Sequence, residues 1–257
     1  MIMEKETREL ILNGYKYYLP HLSIDCVIFG YHDNQLKILL IKLKNLNDKC
    51  LPGGYIKHSE ILQQAANRIL KERTGLEKIF LQQFETFGDP ERTKMFDQKK
   101  ISAISGIKLS KDNWMMGRFV SIGYYAIVEY SKVSPTSDAF SEECMWCDIH
   151  KVPRLLFDHN EMIVAALKTL RLHLYHQPIG YNLLPEKFTL PEIHTLYETI
   201  LDKTLDRRNF PKKLLSLGII KKLNEQRNIG AHRSPFLYRF DKRKYDEALK
   251  NGIVIAF

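Results

Sequence analysis

Gly53-Gly54-Tyr55-Ile56-Lys57-His58-Ser59-Glu60 runs straight into Ile61-Leu62-Gln63-Gln64-Ala65-Ala66-Asn67-Arg68-Ile69-Leu70-Lys71-Glu72-Arg73-Thr74-Gly75-Leu76. The first part, with Leu51-Pro52 ahead of it, is turn punctuation. In the second part Ile61, Leu62, Ala65, Ala66, Ile69 and Leu70 recur at offsets of four and eight. That spacing lays one apolar stripe along an amphipathic helix. Gly75 then supplies the left-handed residue on which helices commonly end.

Working outward, Ile24–Phe29 and Leu36–Ile41 read as two strands of a hairpin, with Asp33-Asn34 supplying the turn chemistry. Downstream, Ile79–Phe87, Phe119–Tyr130 and Met145–Ile149 are strand-like. Asp158, with Glu161 three residues on, forms a capping box for a helix reaching His173. Strands interleaved with two amphipathic helices predict an α+β body, a mixed sheet with helices packed against it. Pro178, Gly180 and Pro185 mark Leu174 to Lys187 as a linker, so the 257 residues divide into domains at 1–176 and 177–257. Beyond the linker, Thr189-Leu190-Pro191-Glu192 caps a helix whose apolar stripe is Ile193, Leu196, Tyr197, Ile200 and Leu201. A second helix is expected from Asp206 to Gly218, with Phe210, Leu214, Leu215 and Leu217 inward and Pro211 an awkward member. A polar stretch, Asn224 to Ser234, and an alternating strand, Phe236–Phe240, complete a winged helix-turn-helix order.

Composition narrows the function classes. Hydrophobic residues at 44% and charged residues at 27% describe an ordinary globular chain and exclude a disordered or fibrous one. No apolar run is long enough for a membrane span and the N-terminus lacks signal-peptide order, so a cytoplasmic protein without membrane partners is expected. The CxxC pair, Cys144 and Cys147, falls on a predicted strand with no second ligand pair nearby, which argues against a zinc site. The net charge is +9, and residues 180–257 alone hold 15 basic against 9 acidic residues. A basic C-terminal segment on a nearly balanced body suits a polyanionic partner.

The run from Gly54 to Leu76 resembles the Nudix box, GxxxxxE followed by REUxEExGU, with agreement in spacing over all 23 positions. Gly54, Glu60, Arg68, Leu70, Glu72, Gly75 and Leu76 match it. In that family the acids of REUxEE share one helical face and hold a divalent cation against a pyrophosphate. Here those positions read Ile69, Glu72 and Arg73. One carboxylate is gone and another has become a cation, so neither a metal site nor catalytic residues are expected. Phe87-Gly88-Asp89-Pro90-Glu91-Arg92, Phe157-Asp158-His159, and the strings around Leu205–Gly218 and Gly230–Arg233 are similar to the Nudix-related transcriptional regulators. That resemblance implies a Nudix-like α/β/α sandwich joined to a smaller C-terminal winged helix-turn-helix. Thr93 to Arg118 departs from the group, being longer and lacking its usual arginines.

The second helix of such a domain enters the major groove. Arg207, Arg208, Asn209, Lys212, Lys213 and Ser216 are the expected outward face, and Arg227, His232 and Arg233 the wing. The resemblance implies a double-stranded operator, a homodimer matched to its two-fold symmetry, and a small-molecule effector in the former substrate cleft. Asp25, Glu60, Glu72, Asp89, Arg92 and His159, with Tyr55 for stacking, are the candidate ligand contacts. Without metal ligands to grip a pyrophosphate, a sugar such as arabinose is favoured over ADP-ribose, and no cofactor is expected. The reading is a transcriptional repressor of a catabolic gene set. The alternatives are a Mg²⁺-dependent pyrophosphohydrolase and a non-specific nucleic-acid adaptor.

Overall fold

The computed structural model describes residues 2–77, 79–94, 96–136, 140–177, 181, 183–228 and 234–252. The chain forms two compact units. The first comprises Met1–Phe29, Lys37–Ile127 and Lys132–Ala166; the second comprises Gly30–Leu36, Val128–Ser131 and Leu167–Phe257. No helix among the described residues is long and apolar enough to cross a membrane.

A seven-stranded sheet organises the first unit. Strands β1 (Tyr18–His32), β2 (Gln35–Leu43), β3 (Lys49–Cys50), β5 (Leu81–Phe87) and β6 (Val120–Glu129) follow the order β3-β2-β1-β6-β5. Strand β4 (Gly53–Lys57) pairs with β1, and β7 (Ser141–Asp148) with β2, both antiparallel. Asp33 and Asn34 turn the β1–β2 hairpin at φ 49° and 56°, the left-handed conformation for which Asp and Asn are suited. Residues 24–30 of β1 are buried without alternation, which is the mark of a strand covered on both faces. On β7, Cys144 lies opposite Ile41 and Cys147 opposite Ile38. The box helix α2 (Leu62–Thr74) buries Ala65, Ala66, Ile69 and Leu70, and Gly75 ends it at φ 72°. Helix α4 (His159–His173) starts in the first unit, which it leaves after Ala166.

Two further helices belong to this unit, α1 (Ile2–Asn13) and α3 (Gln98–Ser105), neither of which periodicity had marked. They explain the long stretch 93–118. Ile11, Ile101 and Leu109 form a small core of their own, with Phe96, Met115 and Met116 packed against it. The indole N–H of Trp114 bonds the Ile11 carbonyl at 3.0 Å, and the Asn113 amide donates to the same carbonyl at 2.9 Å.

The second unit contains a three-stranded sheet, β8 (Phe188–Thr189), β10 (Phe236–Phe240) and β9 (Ile220–Gln226), in that spatial order. Helix α5 (Leu190–Leu201) begins at the Thr189–Glu192 capping box and buries Ile193, Leu196, Tyr197, Ile200 and Leu201, as its spacing predicts. Helix α6 is shorter than its spacing suggests, Asn209–Ser216 instead of starting at Asp206. The Asp206 carboxylate instead accepts the N–H groups of Arg208 and Asn209, at 2.9 and 2.6 Å. Pro211 thereby falls in the first turn, where a missing donor costs nothing. Phe210 and Leu214 are buried, but Leu215, expected inward, is 39% exposed. Strand β9 takes in Asn224–Gln226, which the polar composition had assigned to a loop. A last helix, α7 (Lys242–Asn251), follows β10 and anchors Tyr245 and Ala248.

Candidate effector site and nucleic-acid interface

The first unit encloses a cavity of about 450 Å³, within the range of small-molecule sites. Its polar floor is built on Asp25, which β1 carries into a buried position. The Ser121 hydroxyl donates to Asp25 Oδ2 at 2.5 Å, and Arg92 Nη2 and His159 Nε2 lie 3.6 Å from the same oxygen. His159 Nδ1 accepts the Leu51 N–H at 2.9 Å, so in the neutral ring the proton sits on Nε2, facing Asp25. Burial alone would raise the Asp25 carboxyl. His159, Arg92 and Ser121 together outweigh it and hold the group below the ordinary carboxylate range.

Asp158, expected as a helix cap, holds the Arg92 of this floor from behind the lining residues. Arg92 reaches it with a two-pronged pair of bonds, Nε and Nη2 each 2.9 Å from a different carboxylate oxygen. The loop of the box is shaped around the same group. A Cβ on Gly53 would collide with Asp25 Oδ1 and stand 2.9 Å from the Ile24 carbonyl, so the carboxylate packs directly on the glycine backbone. The facing wall is aromatic. Tyr55 packs edge-on against Trp114 at 4.9 Å between centroids, and lies 5.8 and 5.9 Å from Phe119 and Tyr18. Leu10 of α1 and Ile101 and Met115 of the 93–118 stretch complete the lining.

Glu60, just ahead of α2, joins Arg68 and Glu72 of that helix in a charged cluster, and the latter two also line the cavity. Arg68 donates to both Glu60 oxygens, at 2.7 and 2.9 Å, to the Tyr55 carbonyl at 2.8 Å, and to Glu72 at 3.4 Å. The Arg68 bonds hold the Glu60 carboxyl below its usual value. Ile69 is 1% exposed and packs under the loop; a Cβ on Gly54 would stand 3.0 Å from its Cγ1. Arg73 is buried and lines the cavity. Of the seven expected ligand contacts, Asp25, Tyr55, Glu72, Arg92 and His159 line the cavity together. Glu60 instead holds the loop, accepting the Lys57 N–H at 3.1 Å as well as Arg68. Asp89 is exposed, and its carboxylate accepts the Glu91 N–H in a local turn. Sequence reasoning missed Asp158, Ser121 and Arg73 as members of the site. Arg73 carried a signal as a cation at an acidic position of the box, and Asp158 stood in the resemblance string Phe157-Asp158-His159; Ser121 carried none.

In the second unit Arg207 and Arg208 are exposed in the turn ahead of α6, not on the helix. Asn209 opens the helix, Lys212 and Ser216 are exposed on it, and Lys213 is half-buried. Arg227 is engaged within its own domain: Nη1 pairs with Glu192 at the start of α5, and Nη2 donates to the Lys187 carbonyl at 3.0 Å. His232 and Arg233 lie outside the described residues.

Residues 19–166 match the model of the NUDIX domain, and residues 180–240 the model of the NrtR DNA-binding winged helix domain. The chain belongs to the Nudix–winged-helix regulator family. It is a DNA-binding transcriptional regulator carrying a degenerate, effector-responsive Nudix domain. It is 27% identical, over 88% of its length and 84% of the relative's, to the ADPR responsive transcriptional repressor NtrR of Acinetobacter baylyi. It is 30% identical to the ADP-ribose pyrophosphatase of Methanocaldococcus jannaschii, covering 59% of this chain and 76% of the relative. Among solved structures it is similar to Shewanella oneidensis NrtR complexed with a 27mer DNA. The TM-score there is 0.68 at 26% identity, and the match covers 88% of this chain and 95% of that one.

Hydrolases of the Nudix family use a divalent cation held by box acids. The residues of this regulator do not fit that ion. Ile69 offers no ligand, Arg73 repels a cation, and Arg68 already spans Glu60 and Glu72. Among the described residues no three acids, histidines or cysteines are grouped to hold a metal.

Proposed function

We propose that this protein is a repressor whose Nudix domain senses a metabolite of the ADP-ribose class and does not hydrolyse it. The observation that carries the proposal is the state of the box: the fold and cavity are kept while Ile69 and Arg73 stand at two of the three metal-binding positions. A regulator of this family needs a ligand whose affinity differs between DNA-competent and DNA-incompetent states, and a site that binds without turnover suits that need. The relatives support the ligand class, one being an ADPR responsive repressor and the other an ADP-ribose pyrophosphatase. The cavity is also far roomier than a single sugar ring requires. A free sugar such as arabinose is the second reading, favoured by the buried Asp25–His159–Arg92 floor beside Tyr55, a polar-and-aromatic arrangement that suits hydroxyl groups.

The division of labour follows the proposed domains, 1–176 for the effector and 177–257 for DNA. Asn209, Lys212 and Ser216 on α6, with Lys213 and the preceding Arg207 and Arg208, are assigned to the major groove and its flanking phosphates. A homodimer would present two such faces to a two-fold operator. A DNA partner places the protein in the compartment that holds the chromosome.

The test is fluorescence anisotropy on duplexes tiling the region upstream of the protein's own coding sequence, at about 150 mM salt. One duplex bound some 10³-fold more tightly than random DNA is the expected result. Equal, weak binding to every duplex would remove the regulator reading in favour of a non-specific adaptor.

A further inference from the structure

We infer that a basic face where β9, β10 and α7 meet is a second contact with the DNA backbone, in addition to the helix assigned to the groove. Helix α7 begins at Lys242, beyond the residues that match the winged-helix domain. Its first turn reads Lys242-Arg243-Lys244 and holds no acid. Cations are unfavourable at that positive end of a helix. Just ahead of it, Arg239 of β10 lies directly opposite Lys221 of β9, and both are exposed. Like charges facing each other across a sheet also cost stability. Two local rules of charge placement are thus broken at one place, a pattern expected of a surface kept for a partner.

Asp241 joins the two halves of this face. Its carboxylate pairs with Lys221 at 2.5 Å and accepts the Lys244 N–H at 3.2 Å. The Lys244 ammonium lies over Gly218, just past the end of α6, where a Cβ would stand 2.6 Å from it. The face is thereby continuous with the end of α6. The acids present do not neutralise it. Lys221, Arg239, Arg243 and Lys244 are met by two carboxylates, Asp241 and Glu247, the latter 3.7 Å from Arg243, which leaves a surplus of two positive charges. Arg239 makes no ion pair among the described residues. Lys242 pairs with Asp246 at 3.3 Å. Both pairs along α7 place the base ahead of the acid, the weaker order, and their basic side chains are 69% and 82% exposed. Such pairs contribute little and yield to a phosphate, which offers a full charge and several acceptor oxygens. DNA supplies that charge in a regular row, so the occupant is the sugar–phosphate backbone beside the groove.

The experiment is fluorescence anisotropy of the full-length protein on its tightest upstream duplex and on a random duplex, between about 50 and 200 mM salt. The variants are Arg239→Gln, Arg239→Lys, Arg243→Gln and, at the far end of α7, Lys250→Gln. Arg239→Gln and Arg243→Gln should each weaken both duplexes by a common factor, roughly 3- to 10-fold. Each should also lower the slope of log K against log salt by about 0.9. Arg239→Lys keeps the charge and should keep the native slope. Lys250→Gln removes the same net charge and should change neither quantity. Arg239→Gln should leave thermal stability unchanged or raised, since it ends the repulsion with Lys221, whereas a merely structural arginine would lower it. Native slopes in both glutamine variants overturn the inference, as does an equal loss in Lys250→Gln, which would make net charge the whole cause. Either result leaves the regulator reading standing. If the native chain prefers no duplex, the regulator reading falls, yet the slopes on random DNA still decide the inference. Binding to no DNA at all would remove both.

Discussion

Replacing Arg92 by leucine removes a guanidinium that faces both Asp25 and Asp158. Its side chain is 3% exposed; it bonds Asp158 at 2.9 Å through two nitrogens and stands 3.6 Å from Asp25. The carboxylates left behind are themselves only 12% and 10% exposed, so solvent screens them poorly. Removing one partner of a buried ionic group costs about 3–5 kcal/mol, and a unit charge pair at this range is worth about 4 kcal/mol at the effective dielectric of a partly solvated site. The pH dependence supplies a second signature. In the native chain Asp25 lies below its ordinary value, so its contribution is present above the unfolded pKa and lost as pH falls through the folded one. Without Arg92, burial is opposed only by His159 and Ser121 and pushes the carboxyl upward. The penalty should then shrink on going from about pH 7 to about pH 5 as the Asp25 carboxylate takes up a proton. Urea unfolding followed by tryptophan fluorescence reads this directly, because both tryptophans, Trp114 and Trp146, belong to the first unit. A loss under about 1 kcal/mol, equal at the two pH values, would refute the charge network as described.

Gly53→Ala should displace the Asp25 carboxylate, costing about 1–3 kcal/mol and weakening effector binding; a variant with native stability and native affinity contradicts the packing of that loop. Thr189→Ala removes the cap of α5 and should lower the stability of the winged helix by about 1 kcal/mol, read as faster amide exchange along α5. Lys212→Ala should weaken binding to all duplexes alike and reduce the slope of log K against log salt by about 0.9, whereas Arg208→Ala should also relax base preference. If neither substitution changes affinity, α6 is not the element that meets DNA.

The elements of the body were legible where one chemical pattern dominated. Ala65, Ala66, Ile69 and Leu70 could bury a helix in only one way, and Asp33-Asn34 and Gly75 stand at left-handed positions that few other residues tolerate. Helices α1 and α3 were not legible, because their burial comes from each other and from Trp114 and Leu109, contacts between positions about a hundred residues apart. Helix α6 began three residues late because Asp206 satisfies the first amides from outside the helix. Within the candidate site, box spacing marked Glu72 and resemblance marked Arg92 and His159. Ser121 and Asp158 became visible only once β6 and α4 were set beside β1, since a serine in a strand and an aspartate ahead of a helix each have a sufficient local reason to be there. Asp89 illustrates the converse, a residue of a suggestive string whose carboxylate serves its own turn.

The central claim is that a Nudix fold here senses its ligand and does not cleave it. The most direct measurement adds ADP-ribose to the protein–operator complex in the presence of Mg²⁺, follows anisotropy, and then recovers the nucleotide for chromatography. A shift in operator affinity of about 5- to 150-fold, with ADP-ribose recovered intact, is the expected result. Conversion to AMP and ribose phosphate at an enzymatic rate, with operator affinity unchanged, would contradict it.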